Sequence, residues 1–493
     1  MQAVIGIDIG TTNTKAIVFT KQGEVIVSAN ASYPHVLAQP GYDEIEPSLI
    51  LNAVADVLKK VLSLSKSKAE ICGISFSCAM HSLMAIDADG FPLTNIITWA
   101  DLRSANEAAE IKNTETGNKI YELTGTPIHA MSPLCKILWL KNKEPDIFSN
   151  AHKFIGIKEY LWYQFFGKYL IDYSLASATG LFNIYAFEWC KESLNILGIS
   201  SNRLSEPVDT THIETVLAKK YKDAFGLNDD VPFIIGGSDG CLANLGSNAI
   251  HHGDTSLTIG TSGALRMASA KPKHDPKQRI FNYILTKDLY VSGGGMNNGG
   301  AVVEWYIKNF LAQPSINGND FKRSLEMIDE VPSGADGLIF LPYLFGERAP
   351  IWDADARAVF FGINSMHTEK HFMRSVIEGI SFALYQIGIS LEETIGPIKT
   401  IYASGGFIQS SSWLQIIADV FNKEVIVSNV ADGSAIGSSI IGFRAVGLIR
   451  NLDEMTRFIF DQQKYIPDEH NNKIYMRNFL KFSSLYDKLK SEF

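Results

Sequence analysis

Residues 3–19 read AVIGIDIGTTNTKAIVF: an apolar run, the turn Asp8-Ile9-Gly10-Thr11-Thr12, and a second apolar run from Ala16 to Phe19. Val4, Ile5, Ile7 and Ile9 before the turn and Ala16 to Phe19 after it make a β-hairpin the simplest local solution. Glycine lets backbone approach a polyphosphate closely, and the turn's N–H groups and the hydroxyls of Thr11 and Thr12 can bond phosphate oxygens. By itself Gly10 could equally supply the positive φ of an ordinary hairpin tip. A second turn, Thr258-Ile259-Gly260-Thr261-Ser262, leaves another apolar stretch 250 residues further on. With Gly260, Thr261 and Ser262 matching Gly10, Thr11 and Thr12, the pair predicts a duplicated fold in which each lobe offers one phosphate-gripping hairpin to a shared nucleotide.

Bulk properties narrow the class. A chain of 493 residues is long enough for two or three domains with large cores. Its 46% apolar and 20% charged residues are ordinary globular values. The net charge of −9 comes from interspersed acids and bases, which argues against a nucleic-acid or anionic-membrane surface, so a polyanionic ligand must be met by local donors and a metal ion. The five cysteines are odd in number and lack C-x-x-C spacing, as expected of reduced core thiols in a cytoplasmic protein. There is no basic leader and no apolar run of about 18 residues, so neither secretion nor membrane spanning is expected.

Along the chain, EPSLILNAVADVLKKVLSLSKSK has helical spacing with Pro47 just inside its start, and the buried strand ICGISFSC follows. This order predicts an α/β lobe with helices flanking a mixed sheet. Residues 105–230 read as helix and loop, an insertion able to wall a substrate pocket. FIIGGSDGCLANLGSNAI gives strand, turn and helix, and the lobe boundary is expected at 246, dividing the chain into 1–246 and 247–493. The second half repeats the theme: hairpin, a glycine turn in VSGGGMNNGGAVVEWY, a long helix through HFMRSVIEGISFALYQIGISLEETI, strand TIYASGG, helix SSWLQIIADVFN and strand EVIVSNV.

Two further motifs, and Asp8 of the first turn, carry chemistry. Gly236-Gly237-Ser238-Asp239-Gly240 sets a carboxylate on a turn after a buried strand, and Asp239 is the candidate general base for phosphoryl transfer to a hydroxyl. A helix N-cap is its plain structural alternative. Asp8 is the candidate Mg²⁺ residue, acting through water, since magnesium keeps several waters and needs few protein ligands. Its alternative is a buried carboxylate bonded to backbone. Gly405 and Gly406, in Ser404-Gly405-Gly406, offer bare backbone against which an adenine ring could lie, or form a plain strand-to-helix turn.

Taken with Met131-x-Pro133-x-x-Lys136-Ile137-x-Trp139-Leu140, and with Ala358-x-Phe360-x-Gly362-Ile363 followed by His371-Phe372-x-x-Ser375-Val376-Ile377-Glu378, these motifs make the chain resemble the FGGY carbohydrate kinases over nearly its whole length. Lys143, at the edge of the first pattern, stands where an amide or acid is usual. The resemblance implies two ribonuclease-H-like lobes of the actin/hexokinase superfamily around a deep cleft. ATP would be held mainly by the C-terminal lobe and the sugar mainly by the N-terminal one. CAMHSLM, TWADLRS, TGTPIHAMSPLCK, GGGMNNGG and PYLFGERAPIWDADAR look most like gluconate kinases, while the M-H and W-x-D features are shared with xylulose kinases.

The resemblance places Met80, His81, Trp99, Asp101, Arg103, Lys136, Asn297 and Asn298 in the sugar pocket. Asp101 would accept bonds from hydroxyls. Arg103 can grip a carboxylate bidentately, or pair with Asp101 or Glu107 as a structural bridge. The expected reaction is ATP- and Mg²⁺-dependent conversion of D-gluconate to 6-phosphogluconate. Asp239 would take the C6 hydroxyl proton. The alternatives are a xylulose or other pentulose or polyol kinase of the same family, and a non-catalytic actin-like ATP-binding module. Expected partners are a small sugar acid and ATP, without nucleic acid or membrane, with a homodimer as the assembly to test.

Overall fold

The computed structural model describes residues 1–227, 231–311, 325–427, 432–456 and 463–493. The opening hairpin forms as read: β1 (Gln2–Ile9) and β2 (Asn13–Thr20) pair antiparallel, with Ile9 opposite Thr14. β3 (Val25–Ser32) extends it, and α1 (Pro47–Ser65) packs on β2 and β3 through a face that includes Ile50, Val54, Val57, Leu58 and Val61. Pro47 fits the first turn of α1 because the N–H it lacks has no helical acceptor there. β4 (Glu70–Cys78) returns parallel to β1.

Residues 105–227 are mostly short helices and loops, among them α2 (Pro133–Lys143) and α3 (Ile157–Phe166). β5 (Ile213–Glu214) and β6 (Phe233–Ser238) then complete a six-stranded sheet in the order β5-β6-β4-β1-β2-β3, and α4 (Asp239–Gly246) follows at once.

The second lobe repeats this plan. β7 (Asp254–Ile259) is antiparallel to β8 (Gly263–Ser269), which pairs with the last strand of the meander β9 (Phe281–Thr286) and β10 (Leu289–Met296). After α5 (Gly300–Phe310) and α6 (Glu369–Thr394), β11 (Thr400–Ser404) runs parallel to β7 as β4 does to β1. α7 (Ser411–Phe421), β12 (Glu424–Val427), α8 (Gly433–Ala445), β13 (Gln463–Tyr465) and α9 (Glu469–Leu489) finish the lobe. Its sheet has the order β9-β10-β8-β7-β11-β12-β13. The end of the expected strand EVIVSNV, residues 428–430, lies outside the described residues.

Two features rest on closely packed glycines. The glycine turn read in VSGGGMNNGGAVVEWY falls at residues 297–299 and leads into α5, while Gly293, Gly294 and Gly295 before it belong to β10. Side chains there would collide with neighbours: a Cβ at Gly293 would lie 2.3 Å from the Leu265 carbonyl oxygen, and one at Gly294 2.5 Å from Ala349 Cβ. Secondly, α8, late in the chain, packs across β1 and β4 of the first sheet and against α4. Small residues permit this crossing. A Cβ on Gly437 would sit 2.0 Å from the Leu242 carbonyl oxygen, and one on Gly6 2.1 Å from that of Ala435. Val4, Ile17, Leu242, Ile436, Ile440 and Tyr283 therefore share one apolar cluster between the lobes, while each lobe keeps its own larger core.

Candidate active site

The strand into Asp239 is bent before it arrives. Gly236 has φ +69° and lies where a Cβ would be 1.9 Å from the Phe76 carbonyl oxygen, so only glycine fits, and the β6–β4 register shifts between Ile234 and Gly237. Lys158 of α3, buried, holds the displaced segment: Nζ donates to the carbonyls of Ile235 (2.9 Å) and Gly237 (3.1 Å) and pairs with buried Asp172 at 2.6 Å. Ser238 takes the helix cap, its Oγ accepting from the Cys241 N–H at 3.4 Å. Asp239 is consequently the first residue of α4. Its Oδ1 accepts the Gly240 N–H at 2.7 Å, and the residue lines a cavity of about 280 Å³ between the lobes. Burial raises its pKa, opposed by the positive charge of Arg266.

The first lobe contributes Met80, His81, Trp99 and Met131 to the same wall. His81 has φ +65° and its Nδ1 is 2.8 Å from the Ala178 carbonyl oxygen, which places the proton on Nδ1 and leaves Nε2 as an acceptor. Burial, with Lys136 nearby, pushes its pKa down to about 3, so the ring is neutral. Lys136 itself does not line the cavity. Its Nζ donates to the carbonyls of His81 (2.6 Å), Thr98 (2.7 Å) and Ile97 (3.4 Å), fastening the loops that carry His81 and Trp99. Burial draws its pKa down to about 7.

Four other expected pocket residues are committed elsewhere. Asp101 accepts from Arg103 Nε (2.9 Å) and Nη2 (2.7 Å), from the Arg103 N–H (3.0 Å) and from the Asp43 N–H (2.7 Å). Arg103 also donates to Glu44 at 2.6 Å and lies 3.9 Å over the Tyr42 ring. The structural bridge thus forms, with Glu44 in place of Glu107, and neither Asp101 nor Arg103 lines the cavity. Asn298 donates to the Gly346 carbonyl (2.7 Å) and to Glu347 (2.9 Å), and Asn297 Oδ1 accepts from Arg348 Nε (2.9 Å). These amides support the Arg348 loop and do not face the cavity.

The second lobe brings its glycine turn to the same cavity through Thr258, Gly260 and Ser262. The N–H groups of Gly300 and Ala301 donate to the carbonyls of Gly260 (2.7 Å) and Thr261 (3.1 Å), seating the turn on the start of α5. Thr258 and Ser404 share a hydroxyl hydrogen bond at 2.9 Å, so the Ser404-Gly405-Gly406 turn adjoins it. Gly405 is required by packing, since a Cβ there would be 2.4 Å from the Ile259 carbonyl oxygen, whereas a Cβ on Gly406 would meet nothing within 4 Å. In the first turn Gly10 donates to the Asn13 carbonyl at 3.0 Å, Thr11 is half-buried and Thr12 exposed.

Asp8 ends the strand before that turn and accepts from Ser77 Oγ at 2.7 Å. Burial, then repulsion from Asp432 and Asp239, pushes its pKa up to about 7. Asp432 caps α8, accepting from the Ala435 N–H at 3.0 Å, and pairs with Lys15 at 2.9 Å. Carboxylates that repel one another beside the first turn suit a hard divalent cation. Among the described residues no cluster of three or more His, Cys, Asp or Glu forms a full metal cage, and Mg²⁺ requires none.

Sequence reading passed over Arg266, Arg348, Lys158 and Asp432. Arg348 stands in the quoted stretch PYLFGERAPIWDADAR, and its guanidinium lies 5.0 Å over Trp99 in the cavity wall. Arg266 occupies a strand position whose only local signal is a charge among small and apolar residues.

The model of the FGGY family of carbohydrate kinases, N-terminal domain, matches residues 3–246, and that of the C-terminal domain matches 255–446. The chain is 41% identical to a gluconokinase of Bacillus subtilis over 98% of its length and 96% of that protein. It is 31% identical to a xylulose kinase of Staphylococcus xylosus, covering 99% of this chain and all of the other. The crystal structure of gluconate kinase from Lactobacillus acidophilus superposes with a TM-score of 0.94 at 35% identity, covering 99% of this chain and 98% of that one.

Proposed function

Because the chain belongs to the FGGY family of carbohydrate kinases, we propose that it moves the γ-phosphoryl group of ATP to a hydroxyl of a sugar acid, D-gluconate foremost, giving 6-phosphogluconate. The observation that carries the reading is Asp239: a half-buried carboxylate, released from capping by Ser238, in a cavity lined also by the turn at 258–262. In this reading residues 1–246 supply most of the sugar site and the base, and 247–493 most of the ATP site.

Asp239 accepts the hydroxyl proton as that oxygen attacks phosphorus in line, with neutral His81 Nε2 available to orient a neighbouring hydroxyl. The turns at 10–12 and 260–262 donate to phosphate oxygens, and Gly406 gives the adenosine an unobstructed backbone surface. Asp8, with Asp432 nearby, would hold Mg²⁺, whose charge neutralises the phosphates. A xylulose kinase is the second reading, favoured by the likeness to the Staphylococcus xylosus enzyme.

Asp239→Asn tests the assignment. The amide still hydrogen-bonds but takes no proton, so kcat is expected to fall about 10²–10⁴-fold while calorimetric sugar affinity changes little. Retention of more than about a third of kcat would remove Asp239 from the role of base.

A further inference from the structure

Arg266 leaves β8 on the same face as Ala264, two residues earlier, and both line the cavity. It stands four residues beyond Ser262, roughly 13 Å along the strand from the phosphate turn at a rise of about 3.3 Å per residue. Its neighbours belong to the acceptor side. A Cβ on Gly240 would be 3.2 Å from Arg266 Nε and 2.9 Å from Met80 Cε, so guanidinium and thioether converge beside Asp239.

Arg266 Nε is buried without a hydrogen-bond partner among the described residues. Asp239 acts on the guanidinium through space, without a hydrogen bond or close ion pair. A buried charged donor left unpaired is unfavourable, and its persistence in a ligand cavity points to a partner that arrives with the ligand. Arg348 differs: its Nε is taken by Asn297 Oδ1 at 2.9 Å, its Nη2 donates to the Met296 carbonyl at 3.2 Å, and it stacks on Trp99. The lining thus carries two guanidinium groups against one carboxylate, Asp239, beside a neutral imidazole. The open Arg266 donor suits a planar pair of oxygens such as an acceptor carboxylate.

We propose that Arg266 binds the carboxylate of the acceptor and is the residue that selects sugar acids over neutral sugars. The assignment rests on the sugar-acid kinase reading and moves the carboxylate contact from Arg103, already committed to Asp101 and Glu44, to the second lobe.

The test compares D-gluconate with D-glucitol, which carries a hydroxymethyl group in place of the carboxylate, in wild type, Arg266→Met and Arg266→Lys. ADP release gives kcat/KM, and titration calorimetry gives affinity for each acceptor and for MgATP. The gluconate-to-glucitol ratio is expected to fall a hundredfold or more in Arg266→Met and less in Arg266→Lys, with MgATP affinity held within a few-fold. The ligand-free Met variant is expected to melt no lower than wild type, since it loses a cation whose Nε is buried without a hydrogen-bond partner among the described residues. If Arg266→Met fails to fold, the ratio in Arg266→Lys and the wild-type binding preference decide. An unchanged ratio overturns the assignment: equal losses for both acceptors would place Arg266 on the transferring phosphoryl group or on the charge state of Asp239, and no loss would make it a bystander. A wild type that prefers glucitol overturns the sugar-acid reading and Arg266 selection with it, whereas a gluconate-preferring wild type with an unchanged variant ratio overturns Arg266 alone.

Discussion

Asp8 holds its proton more tightly in the folded chain than in the unfolded one, because burial and two neighbouring carboxylates oppose its charge. The folded value of about 7 exceeds the ordinary 3.8, so the folded state binds the extra proton between those values, and this group's contribution to stability declines as pH rises through that window. Asp8→Asn removes the decline. In metal-free buffer its melting-temperature advantage over wild type is expected to grow from about pH 5 to about pH 8, and thermal melts across that range check it; a pH-independent gap would contradict the electrostatic account. At this scale the sequence is a good guide to residue type and a poor one to commitment. Asp239 is legible because a carboxylate behind a buried strand and two glycines is easily singled out, although its release from capping depends on Ser238. Arg103, Lys136, Asn297 and Asn298 have plausible chemistry for a sugar pocket, yet each finds partners inside the protein, 44 with 103 or 347 with 298, that no local pattern reveals. Arg266 is hidden by the reverse effect: what marks it is a buried Nε without a hydrogen-bond partner among the described residues.

Hairpins and helix crossings turn on glycines that look alike in sequence and do opposite things. A Cβ at Gly260 meets nothing within 4 Å, so that turn keeps open space over its backbone, whereas Gly437 is pressed against the Leu242 carbonyl where α8 crosses α4. Gly260→Val is therefore expected to weaken MgATP binding at least tenfold with little change in melting temperature. Gly437→Val should destabilise the fold by about 1–3 kcal/mol or more through overpacking. Calorimetry paired with denaturant unfolding separates the two, and a Gly260→Val protein that loses stability instead of ATP affinity would make the turn merely structural. Most elements are readable from periodicity: α1, β4, α6 and α7 fall where apolar spacing puts them. What the sequence does not tell is why Gly293, Gly294 and Gly295 precede the turn at 297–299: they lie in β10, where the nearness of β8 and Ala349 leaves no room for side chains. The helical role of DGSAIGSSIIGFRAVG is likewise invisible without its partner helix.

At the scale of the whole molecule, two sheets of matching plan face one cavity, and α8 returns from the second half of the chain to seal against the first sheet. The duplicated turns make the two-lobe plan legible, since each lobe repeats one turn. The crossing is not legible, because nothing in residues 433–445 specifies which sheet they cover. In the proposed reading Asp239 of one lobe and the 258–262 turn of the other serve this cavity as base and phosphate grip, which a phosphotransferase needs and an actin-like module that binds nucleotide without an acceptor does not. Among the described residues no helix is long and apolar enough to cross a membrane. The most direct test measures acceptor-stimulated ADP release from MgATP with D-gluconate, D-xylulose and glycerol in parallel, identifying the phosphorylated product. The account predicts that gluconate exceeds both neutral acceptors in kcat/KM by about a hundredfold or more, as expected when a buried charge-assisted contact worth about 2–5 kcal/mol is lost, and that 6-phosphogluconate forms. A neutral sugar as the best acceptor, or ADP release that no acceptor stimulates, would contradict it.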